Sequence, residues 1–205
     1  MAYMMARMFS GLGKITVDEL STLVIQHFAP KIAAAPGFIR YATLSYPDGR
    51  YGSFSVYDSP EAAKRGAQIA AEWAKSQQAM QSAQLEQTME GEVAFAVRGA
   101  ADHNGRLHTI TRIYKTDASL DDIKRALESE ENEVTRSLQG LARYTAAKLT
   151  DGRVGIFSAF DSQENARKSS EQAKTLRGRG GSQIARVFPT NPEVLEGTLL
   201  ATYVK

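Results

Sequence analysis

Two arginines, one histidine and one tryptophan are the side chains of this sequence best suited to act on a small molecule. Arg40 falls inside an alternating stretch, Phe38, Arg40, Ala42, Leu44, which would set a guanidinium on a mostly apolar strand face. Arg143 holds the same place in Leu141, Arg143, Thr145, Ala147. A buried guanidinium needs an acceptor. The acceptor is either an anionic or carbonyl ligand or an internal carboxylate such as Asp58, Asp161, Glu92 or Glu196. His27 lies one heptad after Leu20 on a helical stripe. It can serve as general base or ligand contact, or be a plain hydrogen-bonded histidine near a helix end. Trp73, the only tryptophan, follows Ala63, Gly66 and Ala70 on one stripe, where an indole walls a cavity or fills a core. Tyr41, Tyr57, Tyr144, Ser55 and Ser158 supply hydroxyls to line a polar space.

Other chemistries find little support. The 205 residues contain no cysteine, which removes disulfides, thiolate ligands and a cysteine nucleophile. The remaining histidines, His103 and His108, sit in or beside a linker, and three scattered histidines give no metal-site spacing. We therefore expect neither metal nor cofactor. A net charge of +2 without a basic stripe argues against nucleic acid. The glycine-rich stretch 177–181 lacks the lysine spacing of a phosphate loop and reads as a mobile loop. The acids Glu128, Glu130, Glu131 and Glu133 read as a solvated helical face. No apolar run reaches membrane-spanning length, and the start lacks a basic leader with an apolar stretch, so the expected setting is cytoplasmic.

The elements that must hold these residues come from an internal repeat. Aligning Gly37 with Gly140 matches thirty positions without a gap, and thirteen are identical, against about one in fifteen by chance. They include Arg40/Arg143, Tyr41/Tyr144, Asp48-Gly49-Arg50/Asp151-Gly152-Arg153, Phe54/Phe157 and Asp58-Ser59/Asp161-Ser162. Each copy opens with a strand, residues 2–9 and 107–114. A helix follows, at 17–32 with apolar residues Val17, Leu20, Val24, Phe28 and Ile32, and from 119 in the second copy. Pro30 should kink or end the first of these. Strands 38–46 and 51–57 join at Pro47-Asp48-Gly49, strands 141–149 and 154–160 at Asp151-Gly152, both with hairpin chemistry. Asp58-Ser59-Pro60-Glu61 and Asp161-Ser162-Gln163-Glu164 start a second helix in each copy. Closing strands run over 90–97 and 196–203. The order is β-α-β-β-α-β twice, the ferredoxin-like arrangement. The expected division is 1–98, a linker at 99–106, and 107–205.

The segments Pro36-Gly37-Phe38, Asp48-Gly49-Arg50, Asp58-Ser59-Pro60-Glu61-Ala62 and Glu90-Gly91-Glu92 resemble the antibiotic biosynthesis monooxygenase-like family of the dimeric α+β barrel superfamily. The second copy keeps Gly140, the Asp-Gly-Arg, the Asp-Ser-x-Glu and Glu196-Gly197 but lacks the prolines. The resemblance implies an α+β fold in which two ferredoxin-like antiparallel sheets pack into one barrel, here within one chain, with a further homodimer open. It also implies a small organic ligand between a sheet and its helices. The implied activity is a cofactor-independent monooxygenation of an aromatic or polyketide-like substrate, with His27 as base and Arg40 as cation. Trp73, Tyr41, Ser55, Tyr57 and Arg143 would contact the ligand. The competing expectation is a non-catalytic ligand sensor or structural module of the same fold, because the features shared by the copies are turns, caps and packing positions.

Overall fold

A computed structural model gives the architecture and describes residues 1–101, 105–129, 138–179 and 182–205. His103, Glu130, Glu131, Glu133, Gly180 and Gly181 lie outside the described residues. By contact density the chain forms two units, residues 1–91 with 197–205, and residues 92–196.

In the first unit, β1 (Tyr3–Ser10) leads to α1 (Val17–Leu23), a π-helical turn Val24–Phe28 and α2 (Ala29–Ala33). β2 (Phe38–Ser45) and β3 (Tyr51–Tyr57) form the hairpin, and α3 (Pro60–Ser76) and a 3-10 turn Gln78–Met80 precede β4 (Gln84–Arg98). The second unit contains β5 (Leu107–Tyr114), α4 (Leu120–Ser129), β6 (Leu141–Leu149), β7 (Val154–Phe160), α5 (Gln163–Gly178) and α6 (Gln183–Val187). β8 (Glu193–Val204) follows. The strands close into a barrel in the order β1-β3-β2-β8-β5-β7-β6-β4. Each quartet, β4-β1-β3-β2 and β8-β5-β7-β6, has the ferredoxin-like order. The expected α+β barrel is therefore the observed fold.

Local chemistry sets these boundaries. Thr16 and Glu19 form a capping box before α1, the Thr16 hydroxyl accepting from the Glu19 amide at 3.2 Å and Glu19 Oε2 accepting from the Thr16 amide at 2.9 Å. Ser59 and Ser162 cap α3 and α5 by accepting from the amides of Ala62 and Asn165, each at 3.2 Å. Gly49 and Gly152, at φ +84° and +87°, turn the hairpins in the left-handed region that glycine tolerates. Arg50 then pairs with Asp48 at 2.6 Å and approaches Glu86 of β4 at 3.6 Å. Arg153 repeats this with Asp151 at 2.7 Å and Glu193 of β8 at 3.8 Å. The Asp-Gly-Arg of each copy is thus a turn that also holds the long strand.

Pro30 does not end the first helix. The chain widens into the π turn, whose closing amide, Ala29, donates to Val24 O, and Pro30 sits in the first turn of α2, where its missing N–H costs little. The stretch from Arg177 also differs from the loop expected of it, because α5 continues through Gly178.

The core of the first unit joins Leu20, Val24, Phe28 and Ile32 to Tyr41, Tyr51 and Tyr57 of the sheet. That of the second joins Ile123 and Leu127 to Tyr144, Ile156, Leu176 and Phe188. A polar contact lies within the first core: Ser21 Oγ and Thr43 Oγ1 are 2.6 Å apart, with Thr43 fully buried. Thr43→Val keeps the shape but strands the Ser21 hydroxyl, so we expect a loss of about 1–3 kcal/mol. Urea denaturation of the two proteins checks it; an unchanged midpoint would show that Ser21 finds another partner.

Candidate functional site

The first unit holds a cavity of about 40 Å³ between sheet and helices. β2 contributes Tyr41, β3 contributes Tyr51, Ser53, Ser55 and Tyr57, and β1 contributes Arg7. The helical wall is Phe28 and Trp73. Phe28 stands between two rings, its centroid 5.1 Å from Trp73 and 5.3 Å from Tyr41, the latter edge-on. Of the residues proposed from sequence, Trp73, Tyr41, Ser55 and Tyr57 meet here.

His27, Arg40 and Arg143 do not meet there. The core spacing Leu20, Val24, Phe28, Ile32 runs in steps of four through the π turn, which leaves His27 on the exposed side, away from the position a heptad count gives it. On β2 the register shifts between Phe38 and Arg40. This bulge puts Phe38 and Tyr41 together on the helix-facing side, while Arg40 follows Ala42 to the other face and lies 5.8 Å over the Phe54 ring. Arg143 shares the shift, after Leu141 on β6, and donates to Ala142 O at 3.3 Å.

The cation that sequence alternation alone did not single out is Arg7. Met5, Arg7 and Phe9 are the cavity-lining residues of β1. Arg7 pairs with Ser53, and Arg112 of β5 pairs with Ile156, the residue that the repeat aligns with Ser53. The two arginines are therefore equivalent, but two fewer residues separate Arg112 from the aligned block than separate Arg7 from it, so an ungapped comparison does not match them. The available signal was a lone arginine amid Met, Ile and aromatic residues in each first strand.

Burial sets the electrostatics. It pushes the Tyr41 hydroxyl up to about 12 and raises Tyr51 and Tyr57, with Arg7 pulling Tyr41 and Tyr57 slightly back. These phenols are neutral donors at physiological pH. Ser55 Oγ donates to Met5 O at 3.2 Å, as Ser158 Oγ does to Ile110 O at 2.9 Å, so both serines bind the sheet to itself. The buried Tyr51 hydroxyl makes no hydrogen bond of good geometry, and the Tyr41 hydroxyl is its one loose partner. Among the described residues, no acid and no histidine lines this cavity.

The second unit has the corresponding space, about 50 Å³, lined by Arg112, Tyr114, Tyr144, Ser169, Arg177 and Phe188 among others. Among the described residues it too has no lining acid or histidine. Neither lining offers an imidazole to ligate a haem or a metal ion, and the described residues contain no cluster of three metal-ligating side chains.

No family model and no curated protein matches the chain. Solved structures do. An anthrone oxidase-like protein superposes with a TM-score of 0.60 at 15% identity, covering 99% of this chain and 93% of that one. A proposed monooxygenase from Lactobacillus acidophilus NCFM gives 0.61 at 10% identity, with 99% and 95% covered. A variant chlorite dismutase from Candidatus Nitrospira defluvii in complex with cyanide gives 0.64 at 10% identity, with 97% and 90% covered. At these identities the likeness concerns fold alone, a closed barrel of antiparallel strands with helices, as in those structures. No helix is long and apolar enough to cross a membrane among the described residues.

Proposed function

We propose that the chain binds a small aromatic molecule in the helix–sheet cavity of its first unit. The observation that carries this reading is the Tyr51 hydroxyl, buried with only the Tyr41 hydroxyl as a loose partner, at a cavity walled by Phe28, Trp73 and Tyr41. Buried polar groups are seldom left unsatisfied, and a ligand oxygen would complete this one. Arg7 adds a positive charge beside the tyrosine hydroxyls, which suits a phenol or enol that ionises on binding. The space admits one edge of such a ring. A larger ligand requires Met80, in the short 3-10 turn, to move outward.

The activity we infer is monooxygenation of that ligand, in keeping with neighbours described as a monooxygenase and an anthrone oxidase-like protein. A ligand held as its anion reduces dioxygen itself: a ring methylene becomes a ketone and the second oxygen atom leaves as water. This needs a cation and a dry pocket more than a protein base. The second reading, a ligand sensor without turnover, is favoured by the absence of any histidine or carboxylate from the described lining residues.

Trp73 makes the test specific, since it is the only tryptophan and part of the wall. Titration with hydroxyanthrones should quench its emission, and Arg7→Gln should weaken binding about tenfold, the worth of one charge-assisted hydrogen bond. Unquenched emission across the series would remove the site. Quenching without oxygen uptake would leave the sensor.

A further inference from the structure

We propose that the cavity of the second unit is a separate binding site for a short-chain carboxylate, gripped by Arg112 and Arg177. Arg112 is 5% exposed, yet its hydrogen bonds run only to hydroxyls: Ser169 at 2.8 Å, Ser170 at 3.0 Å and, at the limit of reach, Ser158 at 3.5 Å. Glu196 acts on this charge without a hydrogen bond to it, and a buried guanidinium whose direct partners are all neutral hydroxyls is an expensive arrangement that a bound anion would complete. Arg177 lines the same space. Its guanidinium carbon lies 5.6 Å from the centre of the Tyr114 ring, its Nη1 donates to Thr190 O at 2.9 Å, and its Nε is buried without a hydrogen-bond partner. Two cations therefore face one cavity with no acid among its described lining residues, and Arg177 disfavours the charge of Arg112. One bound monoanion relieves both, and a carboxylate matches the planar fork of a guanidinium.

The two copies differ here in a way that makes the site particular to the second. Ser169 and Ser170 align with Gly66 and Ala67, Arg177 with Ala74, and Phe160 with Tyr57. In the first unit a Cβ on Gly66 would run into the Tyr57 ring, so the tyrosine fills the space that the serines occupy in the second. Among the described residues, only the second unit hydrogen-bonds its strand arginine to serines of the helix and adds another cation to the lining. Its 50 Å³ has room for about four water-sized groups, a carboxylate with a short carbon chain. Tyr144, Leu127 and Ile184 offer that chain apolar walls.

The test uses the full chain at constant ionic strength with propionate, its neutral analogue propionamide, and nitrate. At ten times its dissociation constant, propionate should raise the melting midpoint by about 3 °C, and the other two should not. Arg177→Gln, at a half-buried position that folding should tolerate, should weaken propionate binding at least tenfold in calorimetry. Arg112→Lys should weaken it as well, and Arg125→Gln, on the surface of α4, should leave it unchanged. An equal response to propionamide, an equal response to nitrate, or undiminished binding by the Arg177 variant would each overturn the proposal. Because Trp73 lies in the other cavity, propionate binding and hydroxyanthrone quenching can succeed or fail independently.

Discussion

Gly37→Val should destabilise the protein by about 3–5 kcal/mol, the sum of backbone strain and overpacking. Gly37 has φ +84°, and a Cβ built there would strike the Asp58 carboxylate and lie 2.6 Å from Ala62 Cβ. It cannot retreat, because Gly37 O accepts from the Asp58 amide at 2.8 Å, which fixes the hairpin entrance against the start of α3. Gly49 supplies the contrast. It has the same φ but nothing within 4 Å of its Cβ position, so Gly49→Ala carries strain alone, about 1–2 kcal/mol. Urea midpoints of the two variants, compared at equal slope, check the difference. Equal losses would mean that conformation, and not crowding, explains why glycine stands at position 37.

Trp73→Ala should cost about 3–5 kcal/mol, the range for emptying a large aromatic site in a packed core. Trp73 is 8% exposed and leans on Phe28, which in turn meets Tyr41, so its removal unsupports a chain of three rings. His27→Ala should stay within about 0.5 kcal/mol, as expected of an exposed side chain. Circular dichroism during denaturation is the suitable measurement, since the tryptophan signal is lost. A small loss at Trp73 would show that Phe28 and Met80 collapse into the space, and it would also question whether the cavity keeps its shape for a ligand.

What could be read from the sequence follows the range of the interactions involved. Turns and caps are written in a few adjacent residues, so Asp48-Gly49-Arg50, Ser59-Pro60 and their partners in the second copy located the hairpins and helices directly. The barrel was implied by the resemblance of both copies to one family. Side-chain direction was harder, because it depends on counts that one irregularity resets. The bulge after Phe38 turned Arg40 away from the helix-facing side, and the π turn moved His27 out of its expected stripe. Arg7 and Arg112 were hidden for a different reason: their equivalence lies in strand register, and the connections before the aligned block differ in length. The loosely partnered Tyr51 hydroxyl and the hydroxyl cage of Arg112 depend on contacts between distant segments, which no local pattern records.

The pairing of β2 with β8 has a consequence for how the chain is made. Residues 40–45 find their partners in residues 198–204, so the sheet of the first unit stays one strand short during most of translation. β1, β3 and the helices over them can assemble early from nearby sequence. The open flank of β2, however, must wait on the ribosome with its amides and carbonyls unpaired, a condition that favours chaperone contact or pairing with the wrong chain. Closure by such distant segments should also be the slow step of refolding. A strand made long after β2 thus completes the unit that β1 opens.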